Sequence, residues 1–367
     1  MFEGGSVKLS GKGAKGWLQG CQFVKASVSV SQGKLEVARS KGNLASLSGT
    51  GAALTFDSPD FGSITLSVSG GALKFSGAKT VVKGISVSDG ADGGVLKGVV
   101  MAGAVVVSGK GSKLSFDGGS GAATSITARS DARLFLTDTK GLAVTGAISA
   151  GTRAQLNMTD SSFTFTSTSG SPVAMGASAS VVVKSCTISY ASAATAYSSA
   201  LFAVTGDKAV LSIVDSIVVS TGGARVYANP GKKGASATFD NVSMTSNKIR
   251  TVTLGIFSSD GFGGAIYDGC GDATCRTKIE SSLVKGFGVN AKAGTYKRGA
   301  EPGSGCNSCQ GAYGGALFFA GKGELILDKT KFVSDKAAAS GSCSCSYDTP
   351  TRSATSPART NPNGGAG

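Results

Sequence analysis

Six of the eight cysteines fall within one late stretch of the chain: Cys270, Cys275, Cys306, Cys309, Cys343 and Cys345. Their spacings are C-x4-C, C-x2-C and C-x-C. Two chemistries fit thiols placed this way. A tetrahedral zinc site takes four Cys or His ligands, and Cys306 with Cys309 is the one pair at zinc-like spacing. Two or three disulfides would instead pin a loop to its scaffold, which requires an oxidising compartment. The chain has no histidine and no second C-x2-C, and the segment is loop-rich. Those features favour disulfides, and no metal or other cofactor is expected. Cys21 and Cys186 lie far from the cluster and read as buried thiols.

Carboxylates are the other candidates. Asp138 and Asp160 follow equivalent apolar segments, so stacked repeats would bring them close on the outside. Two carboxylates facing across a sugar can hydrolyse a glycoside, and clustered oxygens can hold calcium. Each Asp also sits at a repeat corner, where Asp is an ordinary turn residue. The adjacent Asp pair, the Gly-His-Gly and the Arg-x-Lys of polygalacturonase-type sites are read as missing, and without histidine no Ser-His or Cys-His catalysis is available. No catalytic residue is therefore assigned. The cations outnumber the anions, 36 to 22, for a net charge of +14. Lys292, Lys297 and Arg298, between two of the cysteine pairs, are candidate contacts for an anionic ligand. No basic run interleaved with aromatics is present, so no nucleic acid is expected.

The elements that must position these groups are repeats. Glu324–Ala337 reads as strand, bend, strand. Leu325 and Leu327 face one way, and Phe332 returns the apolar face after a polar corner. Copies begin at Leu35, Leu54, Leu73, Leu114, Leu134, Leu156, Val181, Leu211 and Ala237, separated by 19, 19, 41, 20, 22, 25, 30 and 26 residues. The double interval predicts a missing copy at Val95. A period near 20 with strand alternation marks a solenoid. Each repeat is too small to bury a face alone, but stacking pairs every strand with its copies at about 4.8 Å. The 56 Gly suit tight corners, and only 7 Pro interrupt the backbone donors. The expected fold is therefore all-β: a single right-handed parallel β-helix with about 20 residues per rung, the hand following the rule for parallel crossovers. It is predicted over residues 1–345, with a Cys-rich insertion at 268–313 and a Ser/Thr/Pro/Gly-rich flexible tail at 346–367. Trp17 is expected in the core or an end cap. No secretory leader is visible, and because the repeats begin almost at once the chain reads as a fragment. No apolar run is long enough to cross a membrane as a helix.

Gly263-Gly264-Ala265-Ile266-Tyr267 and Gly314-Gly315-Ala316-Leu317-Phe318, together with Phe332-Val333-Ser334-Asp335, resemble the repeats of chlamydial polymorphic outer membrane proteins and related pectin-lyase-like surface proteins. Those repeats carry GGA followed by Ile or Leu, and Phe-x-x-Asn; here Asp335 replaces the Asn. The resemblance covers roughly residues 235–340. It implies a right-handed parallel β-helix with a surface or adhesive role. The function expected is a non-catalytic, extracellular or cell-surface stalk presenting loops to host or neighbouring cell-surface molecules or to anionic polysaccharide. The alternative is a polysaccharide-active enzyme, a lyase or glycoside hydrolase, or an anionic-glycan binder on the same shaft.

Overall fold

A computed structural model describes residues 1–57, 59–76, 80–166, 171–191, 200–221, 223–254, 264–293, 296–298, 315–319, 322–340 and 345–347. The fold is a parallel β-helix. One sheet stacks thirteen strands in continuous parallel order, from Lys15–Gln19 to Glu324–Asp328. A second, 22-stranded sheet wraps the remaining sides. The rung lengthens from 19 residues between Lys15 and Lys34 to 48 between Arg276 and Glu324. Among the described residues, the longer late rungs add strands of their own, Arg250–Leu254, Gly288–Ala293 and Lys336–Ser340, which form a separate three-stranded parallel sheet.

The alternation read from the sequence is the register of the thirteen-stranded sheet. Leu35 pairs with Leu54 and Leu54 with Leu73. Leu134 pairs with Leu156, and Leu156 with Val181. Two places along, Val37, Phe56, Phe75, Phe116, Leu136, Met158, Val183, Ile213, Phe239 and Ile279 form one buried column. Identical environments on successive rungs select residues of one kind, which is why the period survives in the sequence.

The missing copy is Asp92–Lys97, and here one expectation needs correction. Leu96, not Val95, pairs with Phe75 and Phe116. An irregularity after Asp92 inserts one residue, turns Val95 outward and leaves it 42% exposed. Gly94 makes this bulge possible. Its φ is +64°, and a Cβ there would lie 1.8 Å from the Leu73 carbonyl oxygen.

In the first rungs the wrapping sheet uses long strands such as Gln22–Ser31 and Lys41–Thr50, which shift register between Val24 and Ala26. Lys25, at that shift, has φ +52°. From Ser120 onward the long strand is divided. Val100–Ser108 pairs with both Ser120–Ala123 and Ser125–Arg129. A local kink thus becomes a corner, and two-sided rungs become three-sided.

Trp17 is not in the core. Its strand alternates, and the side chain points outward, 67% exposed. Within the span 268–313, expected as an insertion, Arg276–Glu280, Leu283–Lys285 and Gly288–Ala293 are strands paired to the rungs on either side. Of the tail, Ser346 and Tyr347 belong to the short strand Cys345–Tyr347, which pairs with Tyr296–Arg298; residues 348–367 lie outside the described residues.

Candidate functional site

Among the described residues, the corners that follow the thirteen-stranded sheet share one construction. A left-handed residue turns the chain: Arg39, Gly98, Gly118, Asp138, Asp160, Ser185, Asp215, Asn241, Ser281 and Lys329 all have positive φ. Gly, Asn and Asp tolerate that conformation best. The next residue is buried and small or apolar, and in several rungs it carries a hydroxyl. Ser161 Oγ accepts the Thr139 N–H at 3.0 Å and donates to the Thr159 carbonyl at 2.6 Å. Ser216 Oγ serves Cys186 N at 3.0 Å, and Ser282 Oγ serves Val242 N at 3.1 Å. Cys186 occupies this column as a buried thiol, raised in pKa chiefly by burial. Cys21 stands in the equivalent place and is half-buried, because no rung below covers it.

Asp138 and Asp160 are therefore corner residues, at φ +48° and +49°. The structure does bring them to neighbouring rungs. Lys140 bridges them, with Nζ 2.8 Å from Asp138 Oδ1 and 2.9 Å from the Asp160 carbonyl oxygen. Only the Asp138 carboxylate is held by the lysine, since Asp160 meets it through its backbone carbonyl. On the flat face of the same sheet, charges pair along the shaft axis: Lys113 with Asp92 at 3.0 Å, and Arg276 with Glu324 at 3.1 Å. Arg276 and Lys278 form an Arg-x-Lys spacing overlooked in the sequence reading. Lys278 is engaged by Glu280, so both cations are neutralised locally.

Of the candidate cysteines, Cys270 and Cys275 form a disulfide with Cα atoms 6.4 Å apart. Cys275 sits just before Arg276–Glu280, where the other rungs carry Ala, Gly or Ser, so the bridge staples a corner where only small residues fit. Cys306, Cys309 and Cys343 lie outside the described residues. Cys345 is on a short strand, its backbone opposite Tyr296. Lys297 and Arg298 occupy the partner strand, opposite Ser346 and Tyr347, and Lys292 lies on Gly288–Ala293, opposite Thr253 and Ser340. The backbone thus brings Lys297, Arg298 and Cys345 together; no side-chain contact is assigned to them.

The disulfide joins a polar node. Asp268 is buried. Its Oδ1 accepts the Cys270 N–H at 3.1 Å and Asn229 Nδ2 at 3.2 Å, and its Oδ2 accepts Thr277 Oγ1 at 2.6 Å. Asn229 Oδ1 in turn accepts the N–H groups of Gly231 and Lys232. Burial pushes the Asp268 carboxyl up, against three hydrogen bonds that favour its charge. Tyr227, on the same strand as Asn229, is fully buried and raised well above the ordinary tyrosine range by burial and by the Asp268 charge. On the outward side of these rungs the buried Arg225 guanidinium lies 5.3 Å from the centre of the Tyr267 ring, which stacks on Phe318 at 5.8 Å. Asp268 and Asn229 clip the corners that follow their strands, and Arg225, Tyr267 and Phe318 tie three rungs together. No group of three or more metal-ligating side chains occurs among the described residues.

Sequence reasoning missed this node. Its signal was Gly222-Gly223-Ala224, a further GGA immediately before Arg225. The motif has a structural cause. Ala265 N–H donates to Ala316 O at 2.7 Å, and a Cβ on Gly264 would lie 2.0 Å from Gly315 O. Backbone meets backbone at the start of these strands. A shallow groove of about 290 Å³ runs along the corner at Asp215, Asn241 and Ser281. Asn241 Nδ2 donates to Asp215 Oδ1 at 2.8 Å, so its acid is also engaged.

Comparison with protein-family models, with characterised proteins and with solved structures returned no match.

Proposed function

We propose that this chain is a non-catalytic structural or adhesive surface protein: a rigid β-helical stalk that presents loops near its C-terminal end. The observation that carries the reading is the unbroken thirteen-strand ladder. Its exposed carboxylates are spent on corners and on neighbouring cations, and its rungs lengthen toward the GGA strands. The resemblance of those strands to polymorphic outer membrane protein repeats supports the same role, as does a disulfide suited to an extracellular setting. Loops on repeats are where such scaffolds bind. Anionic polysaccharide is the ligand class that the net charge and the Lys292, Lys297 and Arg298 segment fit best.

The test is to incubate the protein with a panel of anionic polysaccharides, measuring both retention on immobilised chains and release of reducing ends or unsaturated products. Retention that weakens with salt, without product, is expected. The triple variant Lys292→Ala, Lys297→Ala, Arg298→Ala should bind roughly tenfold more weakly, from about 0.5 kcal/mol per cation. Cleavage of any chain would replace the stalk with the enzyme reading. Retention unchanged in the triple variant would remove these cations from the ligand site.

A further inference from the structure

Two faces of the same early rungs are built from opposite chemistry. In the wrapping sheet, residues 27–31, 46–50, 65–69, 84–88, 104–108 and 125–129 stack in register and read SVSVS, SLSGT, TLSVS, GISVS, AVVVS and SITAR. The second and fourth places of each segment face the core, as at Val28, Val30, Ile85 and Val87. The first, third and fifth places face outward. All of these are Ser or Thr except Gly84, Ala104, Val106 and Arg129, and none of the hydroxyl residues is buried. Down the middle, Ser29, Ser48, Ser67 and Ser86 pair in one unbroken column. On the thirteen-stranded sheet the same rungs carry charge instead, at Lys34, Glu36, Lys74, Lys113 and Arg133. Contact with water alone does not select hydroxyls, since charges serve that purpose on the other face.

We propose that this hydroxyl array is a binding surface for crystalline water, an ice-binding face. Parallel stacking sets the hydroxyls about 4.8 Å apart along the shaft and about 6.6 Å apart across it. Both intervals are close to repeats in the oxygen lattice of hexagonal ice, so each column can stand in for a row of water molecules. A hydroxyl both donates and accepts, as each water in ice must. Ser46 Oγ already donates to Ser27 Oγ at 3.1 Å between rungs. At one margin Asp89 Oδ2 accepts Ser69 Oγ at 2.5 Å and Ser88 Oγ at 3.0 Å, which fixes two hydroxyls of the outer column. A continuous ladder holds the array, so the order that a lattice match requires is present before binding.

Other occupants fit less well. In a chain of net charge +14, a face whose outward places hold one cation, Arg129, offers little to phosphate or to an acidic glycan. Those places hold no aromatic ring to lie on a sugar. The face extends about 17 Å by 29 Å, short of the about 800 Å² that each partner of a stable protein pair buries. A crystal needs neither charge nor rings, and it repeats as the face does.

The proposal goes beyond the stalk reading and shares no residue with its cation segment, so polysaccharide retention or cleavage leaves it untouched. The experiment grows ice slowly from a solution of the full chain and compares the protein taken into the ice with an inert protein of similar mass. Crystal shape and grain coarsening in frozen films are read in parallel. Expected are enrichment in the ice, faceted crystals and arrested coarsening. Ser67→Tyr sets a ring at the centre of the array and holds the lattice off the neighbouring hydroxyls. The concentration that arrests coarsening should then rise at least about tenfold, from the loss of a few hydrogen bonds. The triple variant Ser48→Thr, Ser67→Thr, Ser86→Thr keeps every hydroxyl and should remain active, and Lys74→Ala, on the charged face, should change nothing. Circular dichroism and melting check that each variant folds. Three results would overturn the proposal: no more protein in the ice than the inert control, full activity in folded Ser67→Tyr, or a dimer or retention on crystalline cellulose that Ser67→Tyr removes while ice growth is unaffected by either protein.

Discussion

At the scale of the residue, Asp335 replaces the Asn of the motif that its segment resembles, and the replacement has a cost. Its Oδ1 accepts the Phe287 N–H of the rung below at 2.8 Å, while its buried Oδ2 finds no partner among the described residues. Burial raises its carboxyl from 3.8 to about 6, against backbone hydrogen bonds that favour the charge. A folded pKa above the unfolded one means that the native state binds the extra proton. The associated stability is complete below about pH 4 and is lost as pH rises through about 6. Asp335→Asn keeps the acceptor and removes the charge. The variant should melt at or above the wild type at pH 7, with the difference closing toward pH 4; a variant that melts lower at pH 7 would contradict this. The corner hydroxyls permit a second prediction. Ser161→Ala strands the buried Thr139 N–H and should cost about 1–3 kcal/mol in denaturant unfolding. Cys186→Ser, in the same column, should cost less than about 1 kcal/mol, because a hydroxyl already serves that place on neighbouring rungs.

At the scale of the element, two devices hold the irregular rungs. The bulge at Asp92–Lys97 exists because Gly94 takes a left-handed conformation against the Leu73 carbonyl. Gly94→Val should destabilise by at least about 3 kcal/mol, combining backbone strain with a clash that neither strand can relieve. The Cys270–Cys275 bridge closes a short loop beside Asp268. On loop-closure arguments it contributes about 2 kcal/mol. Mass spectrometry of the untreated protein should therefore find these two thiols closed to alkylation until reduced. Free alkylation of both would remove the bridge and with it the support for an oxidising compartment.

At the scale of the whole molecule, twelve rung spacings of about 4.8 Å give the thirteen-stranded sheet a length of roughly 58 Å. Small-angle scattering of the monomer should return a rod with at least that long dimension, and an isometric particle would contradict the fold. Much of this was legible in advance. Leu54, Leu73, Leu134 and Leu156 occupy the places that their spacing assigned, because a stacked rung repeats one environment and selects one kind of residue. Trp17 was misread because hydrophobicity alone does not say on which side of a strand a residue falls; its alternation with Gly16 and Leu18 does. Val95 was misread because a bulge breaks the alternation on which the reading depends.

The sequence by itself determined the fold class, the rung period, the inward column and the corner residues, since each of these repeats and repetition can be seen in one dimension. The tertiary structure decided what occurs once. It closed Cys270 to Cys275, joined the Asp138 carboxylate and the Asp160 backbone through Lys140, and gathered Asn229, Asp268 and Thr277 from two rungs into one node. It also left Leu327 and Trp17 exposed at opposite ends. Those outcomes depend on which residues lie one rung apart, and in the late rungs that distance is 40 or 48 residues of chain rather than 19. Loop length, which carries no period, sets it.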